Sequence, residues 1–307
     1  MRLRFFTAVM TAFLILAFSG NSRAESSCSA CSGASRSASP LEGGGIENLY
    51  DQQQESVSPF NAELRLGGLY DSRVGSTSNG GGNADWALAG ALTAGWQAPL
   101  KGPLGMRLDY RGYMDFHQDF HKYDVIDQTL SVEPQFKAGQ FIFSLPLLFN
   151  LAMENGEHSY NRYAVSPTLT YLIPDTRQAV SVYGIGARID DKEKNYVGSD
   201  EFYEDGVTWG GGFAYLYNFE NKSRVRLSLN YQHTAYDNAL VWQYLTPTSD
   251  FSEKRKDESI AAGLDILLPL TDHFGLYINY AFIHSHSNVD LYEYDRHLAG
   301  VGVELKF

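Results

Sequence analysis

The chain has 307 residues, with 36 acidic against 24 basic side chains, a formal charge of −12 and a mean hydropathy of −0.27. That acidic balance excludes a binder of phosphate backbones, so no nucleic acid is expected as a partner. Past the N-terminal leader no run of 18 apolar residues occurs, which excludes a helical membrane span but not a barrel, whose alternating strands give a weak hydropathy signal.

Residues 1–24 read as a signal peptide. Arg2 and Arg4 form the basic start, Phe5 to Phe18 the apolar core, and Ser22-Arg23-Ala24 a small-residue cleavage site. An apolar run of about 14 residues is too short for a membrane anchor. Removing this leader takes three Arg and leaves 21 basic against 36 acidic residues, a mature charge near −15. Residues 25–59 are rich in Ser and Gly and suit a flexible periplasmic arm. Cys28 and Cys31 in that arm read as a small local disulfide or idle thiols, because Ser32 stands where haem attachment needs His.

From Phe60 onward, twelve alternating segments follow, at roughly 60–71, 86–98, 104–117, 125–138, 140–153, 162–174, 178–190, 205–219, 223–236, 257–270, 273–285 and 295–307. In 223–236, Val225, Leu227, Leu229 and Tyr231 alternate with Arg224, Arg226, Ser228, Asn230 and Gln232. Side chains two apart share one face of a strand, so each segment has an oily face and a wet one. Their lengths meet the roughly 9 to 11 residues that a tilted strand needs to cross a bilayer. Connections alternate between long (72–85, 118–124, 154–161, 191–204, 237–256, 286–294) and short ones. Aromatics collect at the segment ends: Trp96, Phe136, Phe141, Tyr171, Phe219, Phe274 and Phe307 at one, and Tyr70, Trp86, Phe116, Tyr163, Tyr236 and Phe282 at the other. Long loops at one end, short turns at the other and two aromatic bands predict an all-β fold: a transmembrane antiparallel up-and-down β-barrel over 60–307, of about 12 strands with 14 possible. Both termini are then expected in the periplasm of a Gram-negative outer membrane, with membrane lipid as the surrounding partner.

The last ten residues place Val301, Val303, Leu305 and Phe307 on one face. A chain that stops on an aromatic after such a strand resembles the closing strand of bacterial outer-membrane barrels, and the resemblance implies that the barrel-assembly machinery reads it. Three further stretches, Leu66-Gly-Gly-Leu-Tyr-Asp-Ser-Arg-Val74, Tyr110-Arg-Gly-Tyr113 leading to His117, and Ser287-Asn-Val-Asp-Leu-Tyr-Glu-Tyr-Asp-Arg296, resemble the C-terminal barrel of surface lipoprotein assembly modifier-like proteins. That resemblance spans roughly 60–307 and implies an outer-membrane barrel associated with transport, with small solutes or a surface-protein client as its candidate partners. The sequence departs from the family in carrying no repeat of about 34 residues before the barrel and in its count of twelve strands, where the family looks longer.

The alternation assigns an inward set: Glu63, Arg65, Arg107, Asp109, Arg111, Asp115, Glu133, Lys137, Arg188, Arg224, Arg226, Asp265, Glu304 and Lys306. Both signs occur on neighbouring strands, so a salt-bridge network that fills the interior stands beside a narrow charged pore for small solutes. Catalysis, cofactors and metals are not expected. No His-x-Ser occurs, and His284-Ser285-His286-Ser287 puts its histidines and serines on opposite faces, so a phospholipase-type proton transfer lacks its geometry. Asp190-Asp191 and Asp295-Arg296-His297 keep an omptin-like rim protease open. Metal binding could use His117, Asp119 and His121, or His284 with His286. Two imidazoles fall short of the three or four ligands that zinc usually takes, and both stretches lie at outer ends where polar residues collect anyway. The loop from Tyr236 to Lys256, with Trp242, Tyr244 and Phe251, could fold inward as a constriction or face partners. The expected function is transport or surface export through a charged lumen. The alternatives are a structural or partner-binding barrel without a conducting pore and, third, a rim-active hydrolase.

Overall fold

In the computed structural model the described residues are 59–74, 83–98, 102–192, 195–197, 200–202, 204–239, 254–288 and 292–307. The expected leader, the arm with Cys28 and Cys31, and Trp242, Tyr244 and Phe251 lie outside them. Sixteen strands follow in order: β1 (Phe60–Val74), β2 (Asn83–Ala98), β3 (Leu104–His117), β4 (Val125–Ala138), β5 (Phe141–Ser144), β6 (Leu147–Glu154), β7 (Glu157–Val165), β8 (Thr168–Ile173), β9 (Gln178–Asp191), β10 (Asn195–Val197), β11 (Asp200–Phe202), β12 (Gly206–Asn218), β13 (Arg224–Ala239), β14 (Lys254–Pro269), β15 (Phe274–Ser287) and β16 (Tyr294–Lys306).

Fourteen of them form one antiparallel sheet that closes on itself, with Glu63 opposite Lys306 and Asp71 opposite Leu298 where β1 meets β16. β5 with β6, and β7 with β8, each make one interrupted stave, so the barrel has twelve staves. β10 and β11 form a separate small hairpin in the connection between β9 and β12. At closure, Gly67 faces Gly302, and a Cβ on Gly67 would lie 2.6 Å from the Tyr277 hydroxyl oxygen, so the two glycines make room for that ring against the wall.

The interruptions have a local cause. Pro134 on β4, Pro146 between β5 and β6, and Pro167 between β7 and β8 stand at about one height on three adjacent staves. Each carbonyl accepts from the next stave: Leu145 N–H donates to Pro134 (3.1 Å), Ser166 N–H to Pro146 (3.0 Å) and Gly184 N–H to Pro167 (3.0 Å). Proline cannot return a donor, which is why it is rare inside sheets. Hydroxyls take over: Ser166 Oγ donates to the Gly184 carbonyl at 2.9 Å and Thr168 Oγ1 to the Ser166 carbonyl at 3.1 Å.

One expected loop is absent. Instead of a long connection at 154–161, β6 and β7 join through Asn155 and Gly156 alone, both at positive φ (48° and 77°), as a two-residue type I′ hairpin requires. The remaining long connections lie at the same end of the barrel, here the loop end; 139–140, 174–177, 219–223 and 270–273 lie at the turn end.

The wall is inverted relative to a water-soluble protein. Leu88 (63% exposed), Leu104 (61%), Val301 (58%), Trp209 (54%) and Leu229 (52%) all point outward. A continuous apolar exterior of this kind belongs in lipid. The expected aromatic bands are outward as well, with Trp86 beside Tyr70 (5.3 Å) at the loop end and Phe141 beside Tyr171 (5.0 Å) at the turn end. Tyr236 is the exception. It shares the inward face of β13 and its ring lies 4.3 Å from the Arg255 guanidinium inside the barrel mouth.

Candidate functional site

The interior holds thirteen of the fourteen residues expected there. Toward the turn end they form ion pairs, one across the β1–β16 seam and the others between residues two apart on a single stave. Arg65 Nη2 lies 2.8 Å from Glu304 Oε2 and its Nε 2.7 Å from Glu63, while Lys306 Nζ reaches the other Glu304 oxygen at 3.0 Å. Glu304 is almost fully buried by these contacts. Arg107 pairs with Asp109 at 2.7 Å, and the Gln135 amide donates to Glu133 at 3.0 Å. The ladder sets Arg107 opposite Glu133 and Arg226 opposite Asp265. Asp115 and Arg226 are buried, and Arg111, Arg224 and Asp265 sit on the same inward rows. Lys137 is on the inward row of β4 but exposed at the rim.

Arg188 is the correction. Its ladder partners, Tyr163 on β7 and Val207 on β12, are outward and exposed, and directly opposed residues share a face. Arg188 therefore stands on the lipid-facing wall, where its Nη1 lies 2.5 Å from Asp237. On β9 the two faces differ little in polarity, so a lone Arg carried no reliable sign of its direction.

The loop end works differently, and of its interior set only Asp115 is among the residues expected from the alternation. Asp71, fully buried, receives Arg296 Nε at 3.0 and 3.1 Å. Asp85 accepts three backbone amides, from Trp86 (2.7 Å), Asp119 (3.1 Å) and Phe120 (3.2 Å), folding 118–124 back over the mouth. Asp115 accepts from Val125 N–H (3.0 Å) and the Tyr113 hydroxyl (3.1 Å). Asp124 accepts the His117 amide at 2.7 Å, and burial pushes its carboxyl above the usual range against the pull of that bond. Arg255 is held between the Tyr236 and Tyr292 rings (4.3 and 3.3 Å) and bonds Asp257 at 2.9 Å and Glu204 at 3.1 Å. Burial beside Glu204 raises the Tyr292 phenol well above its ordinary value.

The interior also carries apolar patches that the alternation did not foresee. Ile142, Leu172, Ala179, Ala214 and Leu216 cluster at the turn end, and Leu69, Ala281, Ile283, Tyr294 and Leu298 nearer the loop end. His284 meets Asp295 at 2.8 Å, both more than half exposed, while Ser285 and Ser287 are buried on the other face. Among the described residues no three His, Cys, Asp or Glu side chains group so as to hold a metal.

A family model for the surface lipoprotein assembly modifier matches residues 147–307, from the start of β6 to the end of the chain. The outer-membrane channel from Pseudomonas putida F1 superposes with a TM-score of 0.53 at 11% identity, over 83% of this chain and 97% of that one. An anion-selective porin from Comamonas acidovorans (TM-score 0.41, 10% identity, 81% and 98% covered) and the translocator domain of an autotransporter from Neisseria meningitidis (0.39, 11%, 85% and 93%) are more distant in shape. No curated protein matches the chain by sequence.

Proposed function

The chain belongs to the surface lipoprotein assembly modifier family, and from that premise we propose that its outer-membrane barrel serves transport or surface export through a charged interior. The loop end faces outward and the termini lie on the periplasmic side, the usual arrangement of barrels with short turns at one end. The outward row Val301, Val303, Leu305 and Phe307 is the face offered to the barrel-assembly machinery, and lipoprotein-related clients are the partners the family suggests. Catalysis has no part in this reading: the serines that flank His284 and His286 in sequence, Ser285 and Ser287, are buried on the opposite face from the exposed His284–Asp295 pair.

The observation that carries it is the division of charge along the barrel axis. Toward the turn end Arg65, Arg107, Arg111, Lys137, Arg224, Arg226 and Lys306 outnumber Glu63, Asp109, Glu133, Asp265 and Glu304. Toward the loop end Asp71, Asp85, Asp115, Asp127, Asp191, Glu204 and Asp257 outnumber Arg73, Arg162, Arg255 and Arg296. Fixed charges against a low-dielectric wall set ion preference, and mouths of opposite sign favour current in one direction. Planar-bilayer recording of the refolded chain tests this: discrete steps with a current–voltage curve that bends with polarity are expected. Silence under both polarities favours the second reading, a partner-binding barrel without a conducting pore, for which the buried apolar patches inside both ends speak.

A further inference from the structure

An apolar groove of about 460 Å³ crosses the outside of the wall over β4, β6, β7 and β9, within the size range of small-ligand sites. It lies next to the row of three prolines, on the loop-end side, where Val132, Leu147, Val165 and Gly186 follow one another from stave to stave. Gly186 leaves a notch in that row, since a Cβ there would meet nothing closer than Val165 Cγ1 at 3.8 Å. At the same end of the groove stand Arg188 and the exposed Tyr163.

We propose that this groove seats one acyl chain of a membrane amphiphile whose phosphate headgroup carries a net negative charge and binds Arg188, a charge that the choline of a zwitterionic headgroup cancels. The occupant follows from the surroundings. What faces this wall is lipid, and the groove offers an apolar bed with a cation at one end only. An unrewarded arginine on a lipid-facing wall is costly, more so with depth. Asp237 contacts one guanidinium nitrogen, whereas a guanidinium has five donors in a fork that matches a phosphate, so one carboxylate contact leaves room for a second anion. The inference goes beyond conduction and stands whether or not the lumen passes ions.

Native mass spectrometry of the refolded full chain tests it, with dimyristoyl phosphatidylglycerol and dimyristoyl phosphatidylcholine added to detergent micelles. The expected result is several-fold greater retention of the phosphatidylglycerol adduct, abolished in R188Q. G186L, which fills the notch, is expected to lower retention of both lipids; L147W fills the same groove should G186L fail to give a heat-modifiable barrel. Equal retention by the unaltered chain and R188Q overturns the proposal, as does retention that survives G186L and L147W. A species of twice the chain mass, lost in G186L, overturns it in favour of a second copy in the groove.

Discussion

The two ends of the barrel interior use carboxylates for different work. At the turn end acids meet basic side chains, as Glu304 meets Arg65 on the neighbouring stave and Lys306 on its own. At the loop end they often meet backbone amides, as Asp85 does with Trp86, Asp119 and Phe120. A tight turn satisfies its own backbone, so charge there is free to pair with charge. A longer connection folded over a mouth brings unpaired N–H groups, and a carboxylate is the acceptor that holds several at once. The loop end therefore accumulates negative charge as a consequence of pinning its connections.

The comparison is tested most severely by Arg296→Leu, which leaves the Asp71 carboxylate fully buried without its counter-charge. A loss of about 3–5 kcal/mol is expected in urea unfolding of the lipid-embedded barrel, with most of it recovered when Asp71→Leu is added. Asp85→Ala is next, at about 1–3 kcal/mol, because three amides lose their acceptor. Hydrogen exchange at Asp119 and Phe120 should accelerate in that variant and stay unchanged in Glu304→Gln. Glu304→Gln keeps an acceptor for Arg65 and should cost about 1 kcal/mol, an effect that salt changes little because the carboxylate is buried. The smallest effect belongs to Asp272→Asn, whose partner Lys222 is as exposed as itself: no change in unfolding midpoint is expected.

Most of the wall was legible because a period of two leaves little freedom. Once Leu227, Leu229 and Tyr231 face lipid, Arg224 and Arg226 face in. The mouth was not, because its residues look like loop. Arg255 and Asp257 sit in a run of charge, and only the neighbouring stave and Tyr292 reveal that the guanidinium is enclosed. Tyr236 reads as a girdle aromatic until Arg255, across one strand pair, is known to lie on its ring. The β6–β7 hairpin was available in Asn155-Gly156, a strong two-residue turn signal, but the polar run Glu157-His-Ser-Tyr-Asn161 after it reads as loop. Arg188 shows the limit of parity, since β9 has no face polar enough to announce itself.

The pairing of β1 with β16 sets the order in which this molecule can be finished. Arg65 and Glu304 are 239 positions apart, so the first and last staves must find each other before the sheet loses its two raw edges. Every polypeptide cut short before Tyr294 keeps both edges bare and adhesive. Its quality control is therefore all-or-nothing: a copy lacking its final stave is a different and stickier object, ready to pair with whatever strand it meets.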